Sequence, residues 1–142
     1  MKIRFAIPDD IEKVLEIWTL AGLSTRPIGR DHPQSIAKQI SQKNSWILVA
    51  EEEQQIIGAV LVTHDTRKGW INRLATHPER AREGIASKLL EESEKTLLQQ
   101  GIEVYCALIV EDNTKSRKLF EKSNYSHYEG VTYYSKRLSQ DK

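Results

Sequence analysis

Trp70-Ile71-Asn72-Arg73-Leu74-Ala75-Thr76-His77-Pro78-Glu79-Arg80-Ala81-Arg82-Glu83-Gly84-Ile85-Ala86-Ser87-Lys88-Leu89-Leu90 is the stretch that decides the fold. It reads as a strand, a basic loop, a lone glycine and the first turns of an amphipathic helix that runs on to Gln100. Strand, loop and helix in this order predict an α/β layer. They also bring free backbone N–H groups, the positive end of a helix dipole, Arg80 and Arg82 to one point. Such a point suits an anion, above all a phosphate.

Outward from this stretch, the hydrophobic period assigns the remaining elements. Ile3, Phe5 and Ile7 alternate as a short strand. Pro8-Asp9 opens a helix with Asp9 and Glu12 at capping-box spacing and Ile11, Val14, Leu15 and Trp18 inward. Gly22 stops it. A loop over Leu23–Arg30 leads to a second helix from Pro33 to Lys43, with Asp31 as its cap. Trp46–Glu51 and Ile56–His64 form a hairpin around Glu52-Glu53-Gln54-Gln55. The helix Gly84–Gln100 carries Ile85, Ala86, Leu89, Leu90, Leu97 and Leu98 on one face, pairs Glu91 with Lys95 outside, and ends at Gly101. The nearly all-apolar run Glu103–Val110 reads as a strand covered on both faces. Asp112-Asn113 then caps a helix with Ser116, Leu119, Phe120 and Ser123 on one side, and Asn124 suits a left-handed exit. Tyr125–Tyr128 and Val131–Arg137, joined around Glu129-Gly130, make a closing hairpin. The order is β-α-α-β-β-β-α-β-α-β-β, an α/β fold on a mixed sheet flanked by helices.

The chain has 142 residues, enough for one domain over 1–142 that buries roughly 68–70% of its unfolded surface. Its 39% hydrophobic and 29% charged residues sum to a net charge of +1. That balance gives no global basic field, which argues against nucleic acid and membrane surfaces as partners. The single cysteine, Cys106, excludes an intrachain disulfide. No secretory leader and no membrane-length apolar run is visible, so a cytoplasmic location is expected. His32, His64, His77 and His127 are scattered without ligand spacing, and no metal is expected.

The loop fits neither common phosphate motif. A Walker loop needs G-x-x-x-x-G-K-S/T, and a dinucleotide fingerprint needs G-x-G-x-x-G, whereas Gly84 stands alone. His77 to Leu90 instead resembles the acyl-coenzyme A loop of the GNAT superfamily of N-acetyltransferases, R/Q-x-x-G-x-G/A, at Ala81, Gly84 and Ala86. The family's later N-x-x-A-x-x-x-Y helix with its glycine-aromatic end corresponds to Asn113, Ser116, Phe120 and Asn124-Tyr125. The element order is similar over essentially the whole chain.

The resemblance implies acetyl-CoA as co-substrate and an amine-bearing acceptor, either a small molecule or a protein or peptide N-terminus. By this resemblance Leu74, Ala75 and Thr76 bond the pantetheine arm through their backbone. Ala81, Arg82, Glu83, Gly84, Ile85, Ala86 and the Ser87 hydroxyl hold the pyrophosphate, while Asn113, Ser116 and Phe120 face the far side of the coenzyme. Asn113 also reads as a plain helix cap, a compatible role. The acceptor side maps to Leu23–His32 and the closing hairpin. A homodimer through the sheet edge or terminal strands is compatible with the family.

Two positions depart from the pattern. Ala81 stands where the family has Arg or Gln, removing one side-chain contact but not the backbone cradle. Phe120 stands where a tyrosine commonly protonates the leaving thiolate, a role typically worth about 10²–10⁴-fold. Tyr125, Tyr133 and Tyr134 are conceivable replacements. A thiol of pKa roughly 8.5 can also leave unprotonated. Leu108 occupies the strand position of the glutamate base of some relatives, leaving Glu111 as a weak candidate. Without a strong base the acceptor must arrive neutral, which favours an α-amine or other low-pKa amine. The alternative reading is a non-catalytic acyl-CoA-binding regulatory module on the same fold.

Overall fold

The computed structural model describes residues 1–142. The alternating segments become β1 (Lys2–Phe5), β2 (Ser45–Glu52), β3 (Gln55–His64) and β4 (Gly69–Thr76), antiparallel neighbours in chain order. A fifth strand, β5 (Tyr105–Cys106), lies parallel to β4 at the sheet edge. The turn between β2 and β3 is tighter than the four polar residues suggest. Glu53 and Gln54 alone form it, with φ of +51° and +66°, the left-handed pair that a two-residue hairpin demands.

Period-two alternation in β2 sends side chains to both faces of the sheet. Ile47 and Val49 meet α1 (Ile11–Leu20) and α2 (Pro33–Ile40) through Ile11, Val14, Ile17, Trp18 and Ile36. Leu48 and Ala50 share the opposite core with Ile85, Leu89, Leu90 and Leu97 of α3 (Ile85–Gln99) and Phe120 of α4 (Thr114–Lys122). The α3 helix comes close to the sheet at Gly58. A Cβ there would stand 2.9 Å from Ile85 Cγ2 and 3.2 Å from the Ala75 carbonyl oxygen.

The observed mixed sheet with four helices is the α/β fold expected, and several local assignments change. Residues 8–10 form a short 3₁₀ turn. The capping carboxylate is Asp10, which accepts from the Ile7 N–H and is gripped by Arg4 at 2.8 Å, in place of an Asp9–Glu12 box. His32 caps α2, its Nδ1 accepting from the Gln34 N–H, because the Asp31 carboxylate is buried and engaged elsewhere. On α3, Leu98 is exposed and Ser93 and Thr96 are buried in its stead, their hydroxyls donating to carbonyls one turn back, which satisfies them inside the core.

The run Glu103–Val110 pairs only at Tyr105–Cys106, since β4 and β5 diverge beyond that point. Two strands are missing from the expected closing hairpin. Its turn is present, with Gly130 at φ +83°, but Tyr125–Tyr128 and Val131–Arg137 form no ladder. Tyr125 turns inward to pack edge-on against Phe120, and a two-stranded hairpin that joins no sheet is marginal in water. No helix is long and apolar enough to cross a membrane.

Candidate functional site

The start of α3 is built by alternating backbone hands. His77 Nδ1 accepts from the Glu79 N–H and fixes a 3₁₀ turn over Pro78–Arg80. Ala81 is extended, Arg82 is left-handed at φ +68°, and Gly84 is left-handed at φ +79°. This alternation turns consecutive N–H groups to one side, the geometry of an anion nest. No backbone N–H from Ala81 through Ser87 donates to any group of the protein. The first α3-type bond comes from Lys88 N–H to the Gly84 carbonyl. Seven donors in a row, at the positive end of a 15-residue helix, await an acceptor.

The two arginines of the loop differ in what they offer. Arg80 is held by Glu52 at 2.7 Å and Glu83 at 2.8 Å, so its charge is largely neutralised where it stands. Those two carboxylates raise its already high pKa, and it lowers that of Glu83 in turn. Arg82 is exposed and makes no ion pair, which leaves it as the free cation of the nest.

Beside the nest the sheet opens. β4 and β5 are joined only through Gly69↔Tyr105 and Trp70↔Cys106, with Gly69 N–H donating to the Val104 carbonyl at 2.8 Å. From Ile71 to Thr76 the β4 edge has no strand beside it on that side, so a wedge forms between Leu74-Ala75-Thr76 and the run 107–110. The wedge coincides with an irregularity in the β3–β4 register between Ala59 and Leu61, where Arg73 adopts φ +54°. A bulge of this kind re-aims the backbone and bends the strand. The arrangement can take an extended, polar arm along β4 with its anionic end in the nest.

Asn113, which follows the run 107–110 in the chain, caps α4 by accepting the Ser116 N–H at 3.2 Å, and its Nδ2 makes no hydrogen bond within the protein. Phe120 is only 5% exposed and belongs to the packing of α4 on the sheet, not to the surface of the wedge. Of the tyrosines weighed as acids, Tyr125 donates its hydroxyl to Glu94 at 2.7 Å. Burial first, then that bond, pushes its phenol well above the ordinary range. Tyr133 and Tyr134 lie exposed on the C-terminal arm. Glu111 is exposed, and its carbonyl accepts from Arg117.

One cluster was invisible in the sequence. Arg73, from the β4 bulge, reaches Asp31 at 3.0 Å and the Ser24 carbonyl at 2.7 Å, with its guanidinium 5.0 Å over the Trp18 ring. Asp31 also accepts from the Arg26 N–H. The loop 21–32 is thereby pinned to the strand that lines the wedge. The one charged residue in β4, Arg73, was the available signal.

An α/β sheet splayed at β4 and β5, with unpaired N–H groups at the following helix, offers a groove along a strand edge that ends at an anion-favouring helix start. The family is shown directly. Residues 11–125 match the acetyltransferase (GNAT) family, and the chain belongs to it. An acetyltransferase of Pectobacterium atrosepticum is 31% identical over 142 residues, covering 100% of this chain and 99% of that protein. Solved structures share the fold. Aminoglycoside 6'-N-acetyltransferase AAC(6')-Ig of Acinetobacter haemolyticus has a TM-score of 0.78 at 20% identity, over 98% of this chain and 100% of its own. A "predicted acetyltransferase with acetyl-CoA" from Clostridium acetobutylicum has 0.77 at 19% identity, over 94% and 95%.

Proposed function

We propose that this protein, as one domain spanning residues 1–142, transfers an acetyl group from acetyl-CoA to a primary amine in the cytoplasm. The observation that carries this reading is the run of unpaired N–H groups from Ala81 to Ser87 beside the β4–β5 wedge. Those seven residues hold the pyrophosphate, with Arg82 adding charge. Leu74, Ala75 and Thr76 bond the pantetheine arm by their backbone, and Asn113 and Ser116 face it from α4. Ala81 removes one side-chain contact only, because the nest is made of backbone.

Amine and thioester meet in a ternary complex near the bulge at Arg73. The amine attacks the carbonyl carbon, the N–H groups around Leu74 receive the developing oxyanion, the C–S bond breaks as the thiolate departs, and the proton released from the attacking nitrogen passes to water. With Phe120 buried and Tyr125 bonded to Glu94, the thiolate takes its proton from water. Glu111 is the remaining weak candidate for a base, so the acceptor binds already neutral. At pH 7 roughly 10% of an α-amine is neutral, against well below 0.1% of a lysine side chain. An α-amino group or another low-pKa amine is therefore the acceptor class.

A panel of amines assayed for free-thiol release tests this reading. α-Amines should turn over faster than matched lysine side chains, and the reverse order would overturn the acceptor class. The second reading, a non-catalytic acyl-CoA-binding module, draws on Phe120 and on the commitment of Tyr125 to Glu94. Tight coenzyme binding with no thiol release from any amine would favour it.

A further inference from the structure

The loop 21–32 carries Arg26, Arg30 and a single carboxylate, Asp31, and Arg73 joins them from β4. Asp31 is spent on Arg73 at 3.0 Å and on the Arg26 N–H, with Arg30 Nε no nearer than 4.0 Å. Asp141, which approaches Gly29 by its carbonyl oxygen, pairs with none of the arginines. Three arginines thus stand against one carboxylate, and the corner holds positive charge in excess.

The same corner holds donors with nothing to donate to. Trp18 Nε1 and Arg26 Nε are the buried side-chain polar atoms of the protein that make no hydrogen bond. Trp18 lies 5.0 Å under the Arg73 guanidinium, and the Arg26 backbone is bonded to Asp31. Both orphans are N–H groups, so what is missing around Asp31 is a hydrogen-bond acceptor. An unmet buried donor is rare in a folded protein and calls for a partner. The Arg30 side chain is 58% exposed and lines a shallow cleft with Lys136 and Arg137, whose walls carry no acidic side chain.

We propose that the amine substrate supplies what is missing: it carries a carboxylate a few bonds from the reacting nitrogen, and Arg26 and Arg30 bind that carboxylate. The proposal rests on the acetyl transfer proposed above and names the substrate class of the same site. A guanidinium meets a carboxylate through two parallel N–H bonds, which fixes orientation as well as charge. Arg73 is committed to Asp31 and the Ser24 carbonyl, so recognition falls to the other two. A carboxylate anchored on the loop turns the amine toward the β4 bulge, where the thioester stands. A cationic substrate meets like charge and is disfavoured. Two sources present this chemistry on a low-pKa α-amine: the C-terminal carboxylate of a short peptide, or an acidic side chain at the start of a longer one.

Calorimetric titration of the full chain, with CoA present, tests this without turnover. Aspartyl-alanine amide is compared with asparaginyl-alanine amide and arginyl-alanine amide, and alanyl-alanine with its own amide. One acid is expected to bind about 10–100-fold tighter than its amide, the range for charge-assisted hydrogen bonds. The pair that shows the preference assigns the carboxylate to the side chain or to the C-terminus. Arg26→Met and Arg30→Gln should each erase most of that preference. Arg26→Met should leave thermal unfolding nearly unchanged, because its guanidinium has no partner in the protein to lose. Arg30→Gln, on an exposed side chain, decides the matter should Arg26→Met not fold. Acids and amides bound alike, tighter binding of the arginyl peptide, or a preference intact in the folded variants would overturn the proposal. Thiol release from acetyl-CoA with the same amines reads the underlying activity separately. No release from any amine would overturn acetyl transfer and this substrate class with it, whereas release without preference for an acid would overturn the substrate class alone.

Discussion

Arg73 and Asp31, 42 residues apart in the chain, meet at 3.0 Å beneath the loop that joins α1 to α2. Arg73 sits at the bulge of β4, and Asp31 is 5% exposed. The pair therefore fastens the proposed acceptor loop to the strand proposed to bond the coenzyme. Trp18 lies under the guanidinium and adds a cation–π contact.

Breaking that pair leaves a buried charge alone. Arg73→Ala is expected to cost about 3 kcal/mol in chemical denaturation, within the range for one member of a buried pair. It should also expose residues 21–32 to limited proteolysis. Arg73→Lys should recover only part of the loss, because an ammonium cannot bridge Asp31 and Ser24 while stacking on Trp18. Unchanged proteolysis in Arg73→Ala would show that the loop is held by other contacts.

Arg4 pairs with both Asp10 and Glu51 at 2.8 Å, and this cluster predicts an acid limb in stability. The Arg4 guanidinium holds the Asp10 carboxyl below its ordinary value, with the Ile7 N–H adding to the effect. A carboxyl depressed in the folded state contributes stability that is present above its unfolded pKa of about 3.9 and is lost as pH falls through the folded value. Asp10→Asn should lower stability at pH 7 by about 1–2 kcal/mol, the range for a charge-assisted bond within reach of water. It should also flatten the decline below pH 4. Parallel acid limbs in variant and wild type would remove Asp10 from this role.

Gly58 is a packing requirement, not a turn. An alanine there meets Ile85, Leu89 and the Ala75 backbone within 3.2 Å, so Gly58→Ala should destabilise by about 1–3 kcal/mol as an overpacked core position. Thermal unfolding reads this directly. Gly84→Ala differs in kind, since a Cβ meets nothing within 4 Å there and only the φ of +79° is strained. Its cost should be nearer 1 kcal/mol.

Tyr125→Phe separates packing from proton transfer. The phenol is engaged by Glu94, so its removal should change kcat by less than about threefold, far from the 10²–10⁴ of a lost general acid. A drop of a hundredfold or more would restore Tyr125 as the acid.

Much of the fold was legible because its signals are local. Alternation in β2 and β3, the period of α3, and the caps at Asn113 and Asn124 each sit within a few residues of what they determine. Asp31 was misread as a cap because its true partner, Arg73, lies far along the chain and no spacing reveals it. Leu98 was misread because Ser93 and Thr96 bury themselves by bonding their own helix backbone. The free N–H run was readable in outline from Gly84. That Arg80 is tied to Glu52, leaving Arg82 as the free cation, depends on a hairpin packing beside the loop. The closing hairpin expected at Tyr125–Tyr128 and Val131–Arg137 does not form, because strand-like composition alone does not decide pairing, which is a property of the assembled sheet.

The central claim is that the α3 start holds the coenzyme pyrophosphate. Calorimetric titration of the wild type and Gly84→Glu with acetyl-CoA tests it most directly, with thermal unfolding to confirm that the variant is folded. Micromolar binding is expected of the wild type and none of Gly84→Glu, whose carboxylate would stand among the N–H groups meant for a phosphate. A wild type that binds no acetyl-CoA, or a folded Gly84→Glu that binds it as well as the wild type, would show that the α3 start does not hold the coenzyme.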